Sequence, residues 1–182
     1  MPKIEEQKAI IMKLEKEQPP LKEGDTWYII DAMWYRHWRD YVKYEWSYYG
    51  SSHPGPITNG KLLEDENNPD VMRRYLYERH NYIIISKEQW EYLYSWYGGG
   101  PVISRKVINV YPNPMVEIRK LEITFVRGDQ TKIDVKENFS KVDTIGTMRD
   151  RICELWKLEP ANVRLWDYCD NYQSKLLATP IS

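Results

Sequence analysis

Three glycines in a row, Gly98, Gly99 and Gly100, directly follow a helix-forming segment and are closed by Pro101. A glycine loses more backbone freedom on ordering than any other residue. A run of them is therefore costly unless the fold needs positive φ or a close backbone approach at that point. The preceding stretch, "SKEQWEYLYSWY", places Trp90, Leu93, Tyr94 and Tyr97 on one side of a helix. Ser86 and Gln89 form a capping-box pattern at its start. A phosphate-cradling loop has the reverse order, with glycines before the helix and Gly-Lys-Ser/Thr closing it. The run therefore reads as a helix exit, with Gly98 where a left-handed residue is favoured.

The same reading extends along the chain. Ile4, Ile10, Ile11 and Leu14 mark an amphipathic helix over 4–17, stopped by Pro19 and Pro20. "GDTWYIID" is a short apolar run, and Asp31 can cap a second helix carrying Trp34, Trp38, Tyr41 and Val42. "GSSHPGPITNG", residues 50–60, is turn-rich and irregular. "NPDVMRRYLYER", residues 68–79, predicts a third helix, "YIII" a buried strand, and "PVISRKVINVY" an extended run. "YPNPM", residues 111–115, marks a boundary. Beyond it, "VEIRKLEITFV" and "TKIDV" alternate about the turn "RGDQ", which predicts a β-hairpin. Asp143 or Thr144 can cap a helix carrying Ile145, Met148, Ile152 and Leu155, Pro160 ends that segment, and "NVRLWDY" returns as a strand. The expected fold class is α+β in two small domains, residues 1–114 and 115–182.

Charge and composition exclude several functions. The 26 basic and 27 acidic residues leave a net charge of -1, which argues against a strongly basic nucleic-acid domain. No apolar run approaches the ~18 residues of a membrane span, and the N-terminus has no signal-peptide pattern. The expectation is an intracellular protein of the cytoplasm, the nucleus or both, with no membrane partner. Cys153 and Cys169 read as free thiols. His37, His53 and His80 lack zinc-ligand spacing, so neither a metal nor any other cofactor is expected. The chain has 15 Tyr and 8 Trp but 2 Phe, rings that suit thin cores and contact surfaces equally. "MWYRHWRDYVKYEWSYY" interleaves rings with Arg, Lys and His, as a single-stranded RNA platform would. One helix with an apolar face has the same spacing.

The motifs themselves resemble a known family. "WYIID..W...W..YV", "PGPI", "YIIIS.E.W..L.SWYGGGP" and "RKVI" look like the DUSP domain of ubiquitin-specific proteases, over residues 4 to 111. From Val116 to about Tyr172 the order of hairpin, helix and strand resembles ubiquitin, with "TKIDV", "DTI", Met148, Ile152 and "RLW" at matching positions. A DUSP domain followed by a ubiquitin-like domain resembles the N-terminal region of the larger deubiquitinases, with "SWYGGGP" closest in look to the plant or protist branch. The resemblance implies a helical bundle propping a small antiparallel sheet, then a β-grasp domain. After "NVRLW" only residues 167–182 remain, so that domain is expected to lack its last strand, with "SKLL" as a short fourth one. The first strand would then be completed by further chain, by an extended piece of this one, or by a second copy in a swapped dimer.

The resemblance implies a non-catalytic module that recruits partners and modulates a catalytic domain outside this chain. Its expected partners are that catalytic domain and recruited substrates or adaptors, with no nucleic acid. The family's nucleophilic Cys and distant His are not matched here, and Cys153 lies within an amphipathic helix, where a packing role in apolar surroundings would keep its thiol inert. The candidate contact residues are Pro54, Gly55, Pro56 and Ile57, then Trp96, Tyr97, Gly98, Gly99, Gly100 and Pro101. Trp166 joins them because it aligns with an isoleucine of ubiquitin's apolar contact patch. For each group, bracing the fold is the competing role.

Overall fold

A computed structural model describes residues 2–43, 52–128, 134–169 and 172–177. The chain divides into two compact units, Met1–Arg119 and Lys120–Ser182.

In the first unit, α1 (Ile4–Lys16) leads into β1 (Thr26–Asp31), which passes without a break into α2 (Ala32–Lys43). After β2 (Ile57–Thr58) and a single 3-10 turn, β3 (Tyr82–Ile85) leads into α3 (Lys87–Tyr97). Then come β4 (Gly99–Gly100), β5 (Ile103–Val110) and β6 (Asn113–Val116). Four of these strands form an antiparallel sheet in the order β3-β1-β5-β6.

Side chains alternate across a strand, so β1 sorts its residues between two cores. Tyr28 and Ile30 face the helices, joining Ile11, Trp34, Tyr35, Trp38, Trp90 and Leu93. Tyr28 stacks on Trp90 with ring centroids 5.3 Å apart. Trp27 and Ile29 face the opposite way. Ile29 packs with Leu62, Leu63, Met72 and Ile103, and Trp27 with Val107 and Val116. Burying side chains of this size stabilises the fold by about 1.5–3 kcal/mol each.

The helix starts follow the sequence. Asp31 Oδ1 accepts from the Trp34 N–H at 2.7 Å, the N-cap bond that opens α2. Ser86 and Gln89 exchange both bonds of the capping box at α3.

One expectation fails. Residues 68–79 form no helix. Met72 instead bridges to Leu63 in extended pairing and is buried, and Tyr75 and Arg79 take positive φ of 60° and 64°. The Pro69 and Asp70 carbonyls, which a helix would use internally, accept from the buried Arg105 guanidinium at 2.9 and 3.2 Å. The division into compact units lies a few residues beyond the expected boundary. After Tyr111 the chain turns straight back as β6, Val116 joins the core beside Trp27, and Ile118 packs there too. The division therefore falls after Arg119 instead of Pro114.

The second unit contains a hairpin of β7 (Leu121–Val126) and β8 (Asp134–Phe139), with Leu121 opposite Phe139 and Val126 opposite Asp134. Residues 129–133, which include the end of the expected turn "RGDQ", lie outside the described residues. Thr144 caps α4 (Ile145–Trp156) by accepting from the Thr147 N–H at 3.1 Å. A second antiparallel pair follows, β9 (Leu165–Cys169) with β10 (Tyr172–Leu177), so the segment around "SKLL" is longer than expected. Phe139, Ile152 and Cys153 are buried. Among the described residues β7 pairs only with β8, and β9 only with β10.

Candidate partner-binding site

The proline-glycine and aromatic-glycine motifs meet in space. β2 and β4 pair in parallel, Ile57 with Gly99 and Thr58 with Gly100. The Ile57 N–H donates to the Gly98 carbonyl and the Asn59 N–H to the Gly100 carbonyl, both at 3.0 Å. This pairing explains the glycine run. A Cβ on Gly99 would collide with the Ile57 backbone carbonyl oxygen and lie 2.5 Å from its nitrogen. Gly98 closes α3 with φ 60° and ψ -155°, a region only glycine occupies easily, instead of the left-handed helical pair expected at the exit. Gly99 and Gly100 also have positive φ, 91° and 141°.

The rings around this corner are structural first. Trp34, buried in α2, donates its indole N–H to the Gly55 carbonyl at 3.1 Å, which ties the "PGPI" loop to the helical core. Tyr97 meets Trp34 edge-on at 5.4 Å and His53 at 5.3 Å. Its hydroxyl donates to Gln7 Oε1 at 2.7 Å, and Gln7 is fully buried. Burial pushes the Tyr97 hydroxyl up to about 12, so it stays a neutral donor across ordinary pH. His53 Nδ1 accepts from the Gly55 N–H at 3.0 Å.

What remains open to a partner is narrower than the motifs suggest. Pro56 and Gly99 are exposed, Pro54, Gly55, Trp96, Gly98, Gly100 and Pro101 are half-buried, and Ile57 is buried. Trp96 leans on Tyr92 at 5.5 Å. Trp166 lies on β9 of the second unit, opposite Leu176, and is 43% exposed.

The residue that holds the corner together carried no sequence signal. Asn59, fully buried, accepts from the Asp31 N–H at 2.9 Å and donates to the Ile29 carbonyl at 3.0 Å and the Pro101 carbonyl at 3.1 Å. Asp31, itself buried, is paired with Lys61 at 2.9 Å. Within "ITNG" the asparagine reads as an ordinary turn residue.

The Cys153 thiol is buried, and that burial raises its pKa, the opposite of what an attacking thiolate needs. The Cys169 side chain lies outside the described residues. No cluster of metal-ligating side chains occurs among the described residues. No helix among them is long and apolar enough to cross a membrane. Of the rings proposed to stack on RNA bases, Trp34, Tyr35 and Trp38 are buried in the core, and residues 44–49 lie outside the described residues.

Residues 24–109 match the model of the DUSP domain. The chain is 33% identical to ubiquitin carboxyl-terminal hydrolase 9 of Arabidopsis thaliana, over 95% of the chain and 20% of that protein. It is 31% identical to inactive ubiquitin-specific protease 5 of Oryza sativa subsp. japonica, over 95% of the chain and 51% of the relative. Against human ubiquitin carboxyl-terminal hydrolase 15 it is 31% identical, over 81% of the chain and 16% of that protein. The chain thus spans from about a sixth to about half of these relatives' length.

Proposed function

Because the chain carries a DUSP domain and is related over most of its length to the ubiquitin-specific proteases, we propose that it is a non-catalytic module that recruits protein partners and modulates deubiquitination by a separate catalytic domain. The observation that carries this reading is the corner where β2 meets β4. There the backbone of Gly99 and the ring of Pro56 reach the surface, on a frame fixed from beneath by Trp34, Tyr97 and Asn59. A rigid surface binds at lower ordering cost than a loop that must first be organised. The RNA alternative is not favoured, since its central rings are spent in the core.

The test has two arms. Incubated with a fluorogenic ubiquitin substrate, the chain is expected to give no turnover that a thiol reagent abolishes. Affinity capture from cell lysate is expected to yield a set of proteins that Pro56→Glu loses. As an exposed surface change, that variant should shift stability by no more than about 0.5 kcal/mol. Thiol-sensitive turnover, or an unchanged set of captured proteins, would count against the proposal.

We read the second unit as ubiquitin-like, on the order β7, β8, α4, β9. On that reading the outer edge of β7 is completed by a further strand, supplied by additional chain, by an extended piece of this one or by a second copy. An unpaired edge exchanges its amides quickly. Hydrogen exchange in a monomer of this chain is expected to show alternate amides of Leu121 to Val126 weakly protected. Uniform strong protection there, with a monomeric mass in solution, would refute that reading.

A further inference from the structure

Of the chain's asparagines, only Asn59 precedes a glycine, Gly60. Such a pair is the one most prone to lose its side-chain ammonia, because a glycine nitrogen has no side chain beside it to hinder attack. The Gly60 backbone nitrogen, its proton taken by hydroxide, attacks Asn59 Cγ. The N–Cγ bond forms, the Cγ–Nδ2 bond breaks, and Nδ2 takes a proton from water and leaves as ammonia. Water then adds to one of the two carbonyls of the imide ring. The ring opens to aspartate or to isoaspartate, whose main chain runs through the side-chain carbon. The sum is asparagine plus water giving a carboxylic acid plus ammonia, with no change of oxidation state.

The fold opposes each requirement of this reaction. Ring closure needs Cγ to swing over the Gly60 nitrogen, but three hydrogen bonds hold the side-chain amide toward β1 and Pro101. The backbone is held as well. The Asn59 N–H donates to the Gly100 carbonyl at 3.0 Å, and the Asn59 carbonyl accepts from the Leu62 N–H at 2.9 Å. Both Asn59 and Gly60 are buried, which keeps hydroxide and water from the reacting atoms. A Glu66 carboxylate oxygen lies 2.5 Å from where a Cβ on Gly60 would stand, and its charge opposes loss of the nearby amide proton.

We propose that Asn59–Gly60 is a latent hydrolytic modification site, closed to water while β2 and β4 are paired and reactive each time they part. Opening that is fast relative to the chemistry makes the rate follow the open population. Conversion then opposes reclosure. An aspartate at position 59 still accepts from the Asp31 N–H, but its second oxygen faces the Ile29 and Pro101 carbonyls with no proton to offer. That is a buried charge without a partner. Lys61 does not offset it, being committed to the buried Asp31 carboxylate at 2.9 Å. Isoaspartate inserts a carbon into the main chain just after the N–H that bonds to Gly100. The pair therefore records openings of the corner in a covalent change that is not reversed on closing. This chemistry holds whether or not the corner contacts a partner.

The test incubates the full chain and the acetylated, amidated peptide Ile-Thr-Asn-Gly-Lys side by side in mildly alkaline buffer. Digestion and mass spectrometry then measure aspartate and isoaspartate at position 59. We expect the folded chain to convert at least about 100-fold more slowly than the peptide, by a factor set by the scarcity of the open state. Gly99→Ala, which strains the β2–β4 pairing, should raise conversion at Asn59 by at least about tenfold. If Gly99→Ala does not fold, the unaltered chain in sub-denaturing urea takes its place. There conversion should rise in step with hydrogen exchange of the Ile57 amide. Asn59→Asp stands for the converted chain and should lose amide protection at positions 57 and 59. Conversion of the folded chain at the peptide's rate would overturn the proposal. So would a rate at Asn59 that ignores the opening of the corner, or full amide protection in Asn59→Asp.

Discussion

Asn59→Ala is expected to remove about 3–5 kcal/mol of stability from the first unit, because each buried polar group stripped of its partner costs about 1–3 kcal/mol. Two groups lose theirs, the Asp31 N–H and the Pro101 carbonyl, and the Ile29 carbonyl, which also faces the β5 ladder, loses one of two partners. They belong to β1 and to the segment after β4, so one side chain joins stretches far apart in sequence. A domain of this size is stable by about 5–15 kcal/mol in total, and the loss would bring it close to unfolding. Urea unfolding followed by tryptophan fluorescence measures it. A shift below ~1 kcal/mol would mean that water enters and satisfies the three groups, and that the asparagine is dispensable.

Gly99→Ala should be comparably damaging by a different route. The new Cβ meets backbone atoms of Ile57, and the native φ of 91° is one that side chains rarely adopt. Backbone strain of about 1–3 kcal/mol and overpacking of about 1–3 kcal/mol act together. Gly98→Ala isolates the strain, since nothing lies within 4 Å of its added Cβ. It should cost about 1–3 kcal/mol. Amide exchange distinguishes the two variants. Gly99→Ala should expose the Ile57 and Asn59 amides, whose acceptors are the Gly98 and Gly100 carbonyls, and leave the β1–β3 ladder protected. If both variants lose equal stability and keep those amides protected, the close approach is not what requires Gly99.

Much of the fold was legible because local signals agreed with tertiary ones. The cap at Asp31, the box at Ser86 and the apolar stripes of α1 to α4 each depend on residues within a few positions of one another. What was not legible shares a cause. "NPDVMRRYLYER" has helical spacing, yet Met72 is buried by pairing with Leu63 and the carbonyls near Pro69 are claimed by Arg105. Nothing local announces an acceptor's partner 36 residues away. The corner was half legible. "PGPI" and "GGGP" each stood out as backbone-special, but their parallel pairing, and the asparagine that fastens it, depend on contacts across some 40 residues. Tyr97 shows the same limit. Its helical spacing was clear, and its bond to Gln7 on α1 was not.

The contact between Gly99 and Ile57 also bears on how such a surface can diverge. A clash between two side chains can be repaired by a second substitution that shrinks the neighbour. Here the neighbour is the Ile57 main chain, common to every amino acid, so no compensating change at position 57 exists. Gly99 is therefore closed to variation whatever else changes, as long as the two strands stay paired. On the proposed reading of this corner as a contact surface, divergence in what it binds runs through the exposed Pro56, while the scaffold beneath stays the same.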